Sequence, residues 1–262
     1  MKATETEPQT ETSQTYKIPA KLLSKGSTNA KTTKNDRETH ILYLAPVDQN
    51  SKKKNLCPFA SKGCAEACLY SAGRGAFSNV KTARMNKTEY FVQDPKTFTA
   101  QLILEIEFLR IRAKREGKQI AVRLNGTADV DFLFLFKKYH NWDYEEKAEQ
   151  PGDKVSGIYF YDYTPNKAKY FRYQWSKYAL IFSRKEDNEQ EVREVLNRNG
   201  KVSAVFLETT KKPNYKGYPI YDGDERDDKI IDLANVSTGL ILSLKAKGKA
   251  KKDTTGFTIK SY

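Results

Sequence analysis

Three cysteines, Cys57, Cys64 and Cys68, fall within twelve residues of a 262-residue chain, in the pattern Cys–x6–Cys–x3–Cys. Thiolates are soft ligands, and three of them on one short segment can wrap a single metal centre. Structural zinc takes four protein ligands, commonly from two paired motifs, and no second pair exists here. The two histidines lie elsewhere: His40 opens an apolar stretch and His140 follows an amphipathic one. A 4Fe–4S cube takes four corner ligands. Three cysteines would leave one iron open to a substrate, a cofactor, water or another side chain. The expected centre is a 4Fe–4S cluster, with zinc plus a distant fourth ligand, or no metal, as alternatives. A disulfide scaffold is excluded by the odd cysteine count and by a chain long enough to bury a core without staples.

Such a centre needs a rigid support. Apolar strands are expected over 40–46, 120–124, 157–163, 178–182, 202–207, 218–221 and 239–244. Helices are expected between them, over 80–91, 95–117, 131–139, 167–176 and 188–199. The strongest is 95–117, with Pro95 at its start, Leu102, Ile103, Ile106, Leu109 and Ile111 as its apolar side, and Gly117 at its end. Short, uniformly apolar strands alternating with helices predict an α/β fold with mostly parallel strands. We expect a partial or complete (β/α) barrel with the cysteine loop after its first strand. An open doubly wound sheet is the alternative.

In parallel α/β folds, chemistry collects at the carboxyl ends of strands. The residues there are polar: Asn125, Thr127 and Asp129; Asp162; Ser183 and Glu186; Asp222; and Lys245 and Lys247. Each alone is an ordinary cap or loop residue. Together they form a candidate cofactor-binding set. Asp129, Asp162, Glu186 and Asp222 suit ribose hydroxyls or an amino group, and Lys245 and Lys247 suit a carboxylate or phosphate.

Net charge is +13, from 46 Lys+Arg against 33 Asp+Glu. That balance points to an anionic partner, nucleic acid, a phosphorylated metabolite or an anionic surface, or equally to a soluble protein with a lysine-rich skin. Five of residues 245–252 are lysine, and Lys52, Lys53 and Lys54 add a second cluster. No apolar run approaches the roughly 20 residues of a membrane span, and the polar start lacks a secretory signal. A reducing cytoplasm is expected, where cysteines more often bind metal or catalyse than pair. Residues 1–25 are expected to be a disordered or extended tail and 26–262 a single barrel-like iron–sulfur domain. The sequence predicts no oligomeric state.

Several spaced blocks carry a resemblance. NLCPFASKGCAEACLYSAGRG, VRLNGTADVD, FYDYTPNK, FSRKEDNE, YPIYDGDE and LKAKGKAKKDTTGF resemble the phage "gene product 88" family. The likeness implies phage origin and action inside an infected bacterium, without supplying a reaction. The three-cysteine loop is also similar in architecture to radical S-adenosylmethionine enzymes. That similarity implies that Cys57, Cys64 and Cys68 ligate a 4Fe–4S cluster whose open iron takes S-adenosylmethionine. The spacing departs from that family's C-x3-C-x2-C, and Ala67 stands where an aromatic residue usually precedes the last cysteine. Two functions follow as expectations: an enzyme using the open iron, or a non-catalytic iron–sulfur or zinc module that binds nucleic acid or a host factor.

Overall fold

The computed structural model describes residues 16–26, 34–71, 73–208 and 213–260. Residues 1–15 of the expected tail lie outside the described residues. Leu22 and Leu23 are buried, and strand β1 (Leu23–Lys25) pairs antiparallel with β2 (Glu38–Leu42). The folded part therefore begins before residue 26. A three-residue strand in a polar stretch is too short to show a period. Because β1 precedes it, the strand that leads into the cysteine loop is second in chain order, not first.

Helices α1 (Lys62–Glu66), α2 (Ser78–Gln93) and α3 (Pro95–Glu116) follow. The ends of α3 are as its sequence predicts. Asp94 accepts from the Thr97 N–H, Pro95 opens the first turn, and Gly117 closes the helix at φ 64°. Its buried face is Phe98, Leu102, Ile106, Leu109 and Ala113. Ile111, expected on that face, is 58% exposed. Two residues beyond Leu109, it is turned about 200° around the helix.

The rest of the chain supplies β3 (Gln119–Arg123), α4 (Phe132–His140), α5 (Tyr144–Lys147), β4 (Gly157–Thr164), α6 (Lys167–Tyr173) and β5 (Tyr178–Ser183). It continues with α7 (Glu189–Asn197), β6 (Lys201–Phe206), β7 (Asn214–Tyr215), β8 (Tyr218–Asp222), α8 (Lys229–Leu233), β9 (Leu240–Lys245) and β10 (Thr258–Ile259). The sheet order is β1-β2-β3-β4-β5-β6-β9-β8-β7, with β10 on β6. Only β1 and β7 run antiparallel to their neighbours. These two short strands finish the edges and do not pair with each other, so the sheet is open. A complete barrel is not formed: an antiparallel strand at each edge ends the parallel ladder that closure would continue.

Strand order decides where the helices go. From β2 to β6 the strands advance in one direction, and right-handed crossovers keep their helices on one face. There Ile120, Val122, Ile158, Phe160, Leu180, Phe182 and Val202 meet Phe98, Leu102, Phe132 and Val195 in one core. From β8 to β9 the chain steps back toward β6. The same handedness then puts α8 on the opposite face. Ile230, Ile231 and Leu233 pack there on Ala121, Tyr159, Tyr161, Ile181 and Leu242. One helix, unmarked by any long apolar period, thus covers a whole second face. No helix among the described residues is long and apolar enough to cross a membrane.

One departure from a regular sheet concerns the site. Strands β5 and β6 pair only at Phe182–Val202 and Ser183–Ser203. Beyond that, β6 pairs through Val205 and Phe206 with β10. The two strands fork at their carboxyl ends, and residues near the chain's end fill the fork. Arg184 holds it, donating to the Phe257 carbonyl at 2.8 Å.

The opposite edge carries His40, which contacts the Glu38 carboxylate at 2.7 Å, and Arg112 donates to the same carboxylate. Burial alone would push Glu38 up, but His40, Arg112 and Lys25 hold it at about 2, against an ordinary 4.5. A lowered carboxylate stabilises the fold above its unfolded pKa, and that stability is lost as pH falls through the folded one. Glu38→Gln should therefore cost about 1–3 kcal/mol at neutral pH. The difference should shrink steadily below pH 4.5. Urea unfolding at several pH values measures it, and a pH-independent difference would refute the assignment.

Candidate metal centre

The cysteine segment hangs from the carboxyl end of β2 and is fastened before the first cysteine. Asn50 closes a turn by accepting from the Lys54 N–H at 2.9 Å and donating to its carbonyl at 2.7 Å. Leu56 is buried, and its N–H donates to the Val47 carbonyl. The Leu56 carbonyl accepts from the Asp129 N–H at 2.8 Å, which joins this loop to the one after β3. Cys57 follows, with its sulfur 3.8 Å from the Thr127 carbonyl oxygen.

The second fastening is Glu186, beyond β5. Its carboxylate accepts from the Ser61 hydroxyl and from the Gly63 N–H, both at 2.7 Å. Ser61 is the N-cap of α1 and also accepts from the Cys64 N–H at 3.2 Å. Gly63 is required by close approach: a Cβ there would lie 2.1 Å from the Thr255 hydroxyl oxygen. At the far end of α1, Ala67 packs on Ala246 and Ala250. Cys68 comes next. Near it the Arg84 guanidinium lies 4.6 Å from the Tyr43 ring centre and 5.4 Å from that of Tyr70, and donates to the Tyr70 carbonyl. Of the Gly73-Arg74-Gly75 turn, the Arg74 side chain lies outside the described residues.

All three cysteines are free and half-buried. Burial pushes Cys57 up to about 11, helped by the charges of Asp129 and Cys68. Burial pushes Cys64 up to about 12, helped by Cys68, Cys57 and Glu186 and opposed by Lys185. Burial also raises Cys68, opposed by a Tyr70 backbone hydrogen bond and by Arg84. The thiols thus repel one another as thiolates. Neither histidine serves them as a base: His140 contacts the Thr99 hydroxyl and the Lys96 carbonyl, and His40 contacts Glu38. Among the described residues no three His, Cys, Asp or Glu side chains are gathered closely enough to hold a metal ion. The donor set nevertheless suits a soft cationic centre, which would relieve the repulsion of three thiolates that have no other counter-charge in common.

The strand-end residues divide into two groups. Asn125, Asp129 and Asp162 are engaged in the protein's own support. Asp162 is fully buried and accepts from the Leu124 and Asn125 N–H groups, each at 3.0 Å, and from the Tyr178 hydroxyl at 2.9 Å. Burial pushes its carboxyl up, against Arg123, Lys169, Tyr178 and Asn125. Asn125 bridges Asp162 and both backbone groups of Val130. Asp129 pairs with the buried Lys169 ammonium at 2.8 Å and accepts from Thr164. Thr127 donates to the Leu44 carbonyl. Glu186 is bound to the cysteine helix, as described. Ser183 stands at the fork, 3.5 Å from the Ser203 hydroxyl. Asp222, Lys245 and Lys247 gather about the β8 and β9 ends, where Lys247 pairs with Asp224 at 2.6 Å.

Arg84, Tyr43, Tyr70, Ser61 and Thr255 border the cysteines without having been expected there. Only Ser61 carried a usable signal, a serine three residues before Cys64 as in a helix N-cap. A further unexpected group joins the two sheet faces. Arg123 donates to Asp162 at 3.4 Å and Asp227 at 3.1 Å, and Tyr161 donates to Asp227 at 2.8 Å.

The Asp129–Lys169 pair gives a direct test. Removing one member of a buried pair leaves the other uncompensated, at about 3–5 kcal/mol. Lys169→Met should lower stability by that amount in urea unfolding, and Asp129→Asn in the same chain should recover much of it. Additive losses in the double variant would show that the pair is not coupled.

The family model described as Gene product 88 matches residues 21–261. No curated protein and no solved structure matches the chain. The match spans the sheet, the cysteine segment and the lysine-rich end, and the chain belongs to the phage gene product 88 family.

Proposed function

We propose that Cys57, Cys64 and Cys68 hold a 4Fe–4S cluster with one iron free of cysteine, in a protein that acts within an infected bacterial cell. The observation that carries this reading is the placing of three free, half-buried cysteines on one short segment fastened at Leu56 and at Glu186. When bound, the cluster supplies an iron able to take a small ligand and a centre able to pass an electron. The chain's own residues prepare the position. Glu186 fixes the start of the cysteine helix, and Leu56 and Thr127 fix the first cysteine. Lys185 and Arg84 supply positive charge that favours thiolate at Cys64 and Cys68.

The small ligand we propose is S-adenosylmethionine or another molecule of mixed polarity. Asn125, Asp129 and Asp162 are already satisfied within the protein, so contacts to it fall to Ser183 and Asp222, with Lys245 left to the exposed lysine run. This is a narrower set than the strand ends suggested. Whether turnover follows is decided by product analysis.

Protein purified without oxygen should be brown, with broad absorbance near about 400 nm and about four irons per chain. Alanine at any one of the three cysteines should bleach it. S-adenosylmethionine should shift the EPR spectrum of the reduced cluster, and 5′-deoxyadenosine would then mark turnover. Stoichiometric zinc without iron, after growth in iron-replete cells, would refute the cluster.

A second measurement uses the metal-free protein. A thiol moved from 9.0 to about 11 has about a hundredfold less thiolate at pH 8. Cys57 should be alkylated about that much more slowly than an ordinary thiol, and urea should restore the ordinary rate. Fast alkylation in the folded state would contradict the burial that raises this thiol.

A further inference from the structure

We propose that the lysines of residues 245–252 form a binding surface for single-stranded nucleic acid beside the cysteine helix. The proposal goes beyond the metal reading and does not rest on it.

The segment alternates buried alanine with exposed lysine. Ala246 and Ala250 are buried against Ala67, while Lys245, Lys247, Lys249, Lys251 and Lys252 are exposed. Only small side chains allow the backbone to lie this close to α1, and that contact turns every lysine outward. The arc is held at several points. The Ala246 N–H donates to the Phe206 carbonyl at 2.8 Å, extending the ladder past β9. The Thr258 hydroxyl donates to the Ala250 carbonyl at 2.9 Å. Asp253 accepts from the N–H groups of Thr255, Gly256 and Thr258. These lysines therefore sit on a fixed backbone.

Their charge is largely uncompensated. Lys247 pairs with Asp224, but no acidic side chain is within ion-pair distance of Lys245, Lys249, Lys251 or Lys252 among the described residues. Lys62 on α1 is also exposed. Lys245 and Lys247 lie two residues apart on extended backbone, about 6–7 Å, comparable to the step between successive phosphates of a single strand. No apolar side chain projects from the arc to enter a bilayer or build the dry centre of a protein interface, where lysine is depleted. Lys249, Lys251 and Lys252 follow on the turn Gly248–Lys252, and a fixed cluster of largely unpaired cations matches the phosphates of a flexible single strand.

The test is fluorescence anisotropy of a labelled oligothymidylate of about 20 nucleotides with the full chain, titrated with KCl. Four phosphate contacts predict a log–log salt slope of about −3. A variant carrying Lys249→Ala, Lys251→Ala and Lys252→Ala should reduce the slope by about 2 and weaken binding at least about tenfold at low salt. Arginine at the same three positions should retain binding, and unchanged circular dichroism checks the fold. A control removes equal charge at the opposite strand edge, with Lys114→Ala, Lys118→Ala and Lys154→Ala, and should leave binding nearly unchanged. Absent binding, a salt-independent affinity, or equal losses in both alanine variants would overturn the proposal. So would loss of binding to phosphatidylserine vesicles, but not to the oligonucleotide, in the first variant.

Discussion

A single buried carboxylate, Asp162, anchors the structure that carries the cysteines. An ionised carboxylate removed from water is costly unless its oxygens are filled. Here they are filled by two backbone N–H groups after β3, the Asn125 amide and the Tyr178 hydroxyl. The carboxyl end of β3 and the start of β5 are thereby joined to β4 at one point. From there the connection runs outward through real bonds: Asn125 to Val130, the adjacent Asp129 to Leu56, and Leu56 to Cys57 along the chain. Arg123 carries the same anchor to the other face through Asp227, and Tyr161 completes it.

The cysteine segment depends equally on the forked end of β5. If β5 and β6 remained paired to their ends, Thr255 and β10 would have no place beside the cysteine helix. The fork admits them, and Glu186 leaves β5 where it can grip Ser61 and Gly63. Gly63 is then constrained from both sides, by Thr255 and by that carboxylate. The segment is thus held at its start, at the head of its helix and at Ala67. Its cysteines remain half-buried between those points. Such a segment can reshape locally around a ligand while its fastenings stay in place.

Charge is arranged by depth. In the interior, Asp129 faces Lys169, Arg37 faces Asp228 at 3.3 Å, and Arg123 lies between two aspartates. At the carboxyl edge the cations have fewer partners, and they lie close to thiols whose ionisation they favour. The overall positive charge therefore does not come from the core. It comes from exposed lysines, and its densest run is folded against the helix that carries Cys64.

Much of the fold was legible from local pattern alone. The apolar strand runs, the proline start and glycine stop of α3, and the cysteine triplet each express a rule that acts over a few residues. Strand bounds moved by as many as four residues, at the end of β2, because alternation and capping do not mark where a ladder ends. The roles of the polar strand-end residues were not legible. Asp129 and Asp162 resemble ligand carboxylates in sequence, yet Lys169 and Tyr178, 40 and 16 positions away, absorb them. Arg84 beside Cys68 had no local signal, nor had α8 as the cover of a second face. Local sequence determined which segments become strands and helices and that three cysteines share one short segment, since spacing and side-chain type act within the segment. Tertiary structure alone decided which carboxylates are spent, that the sheet stays open, and that the lysine run meets the cysteine helix. Each of those depends on pairing distant parts of the chain, and the cost of burying a charge is met only by whatever partner folding brings.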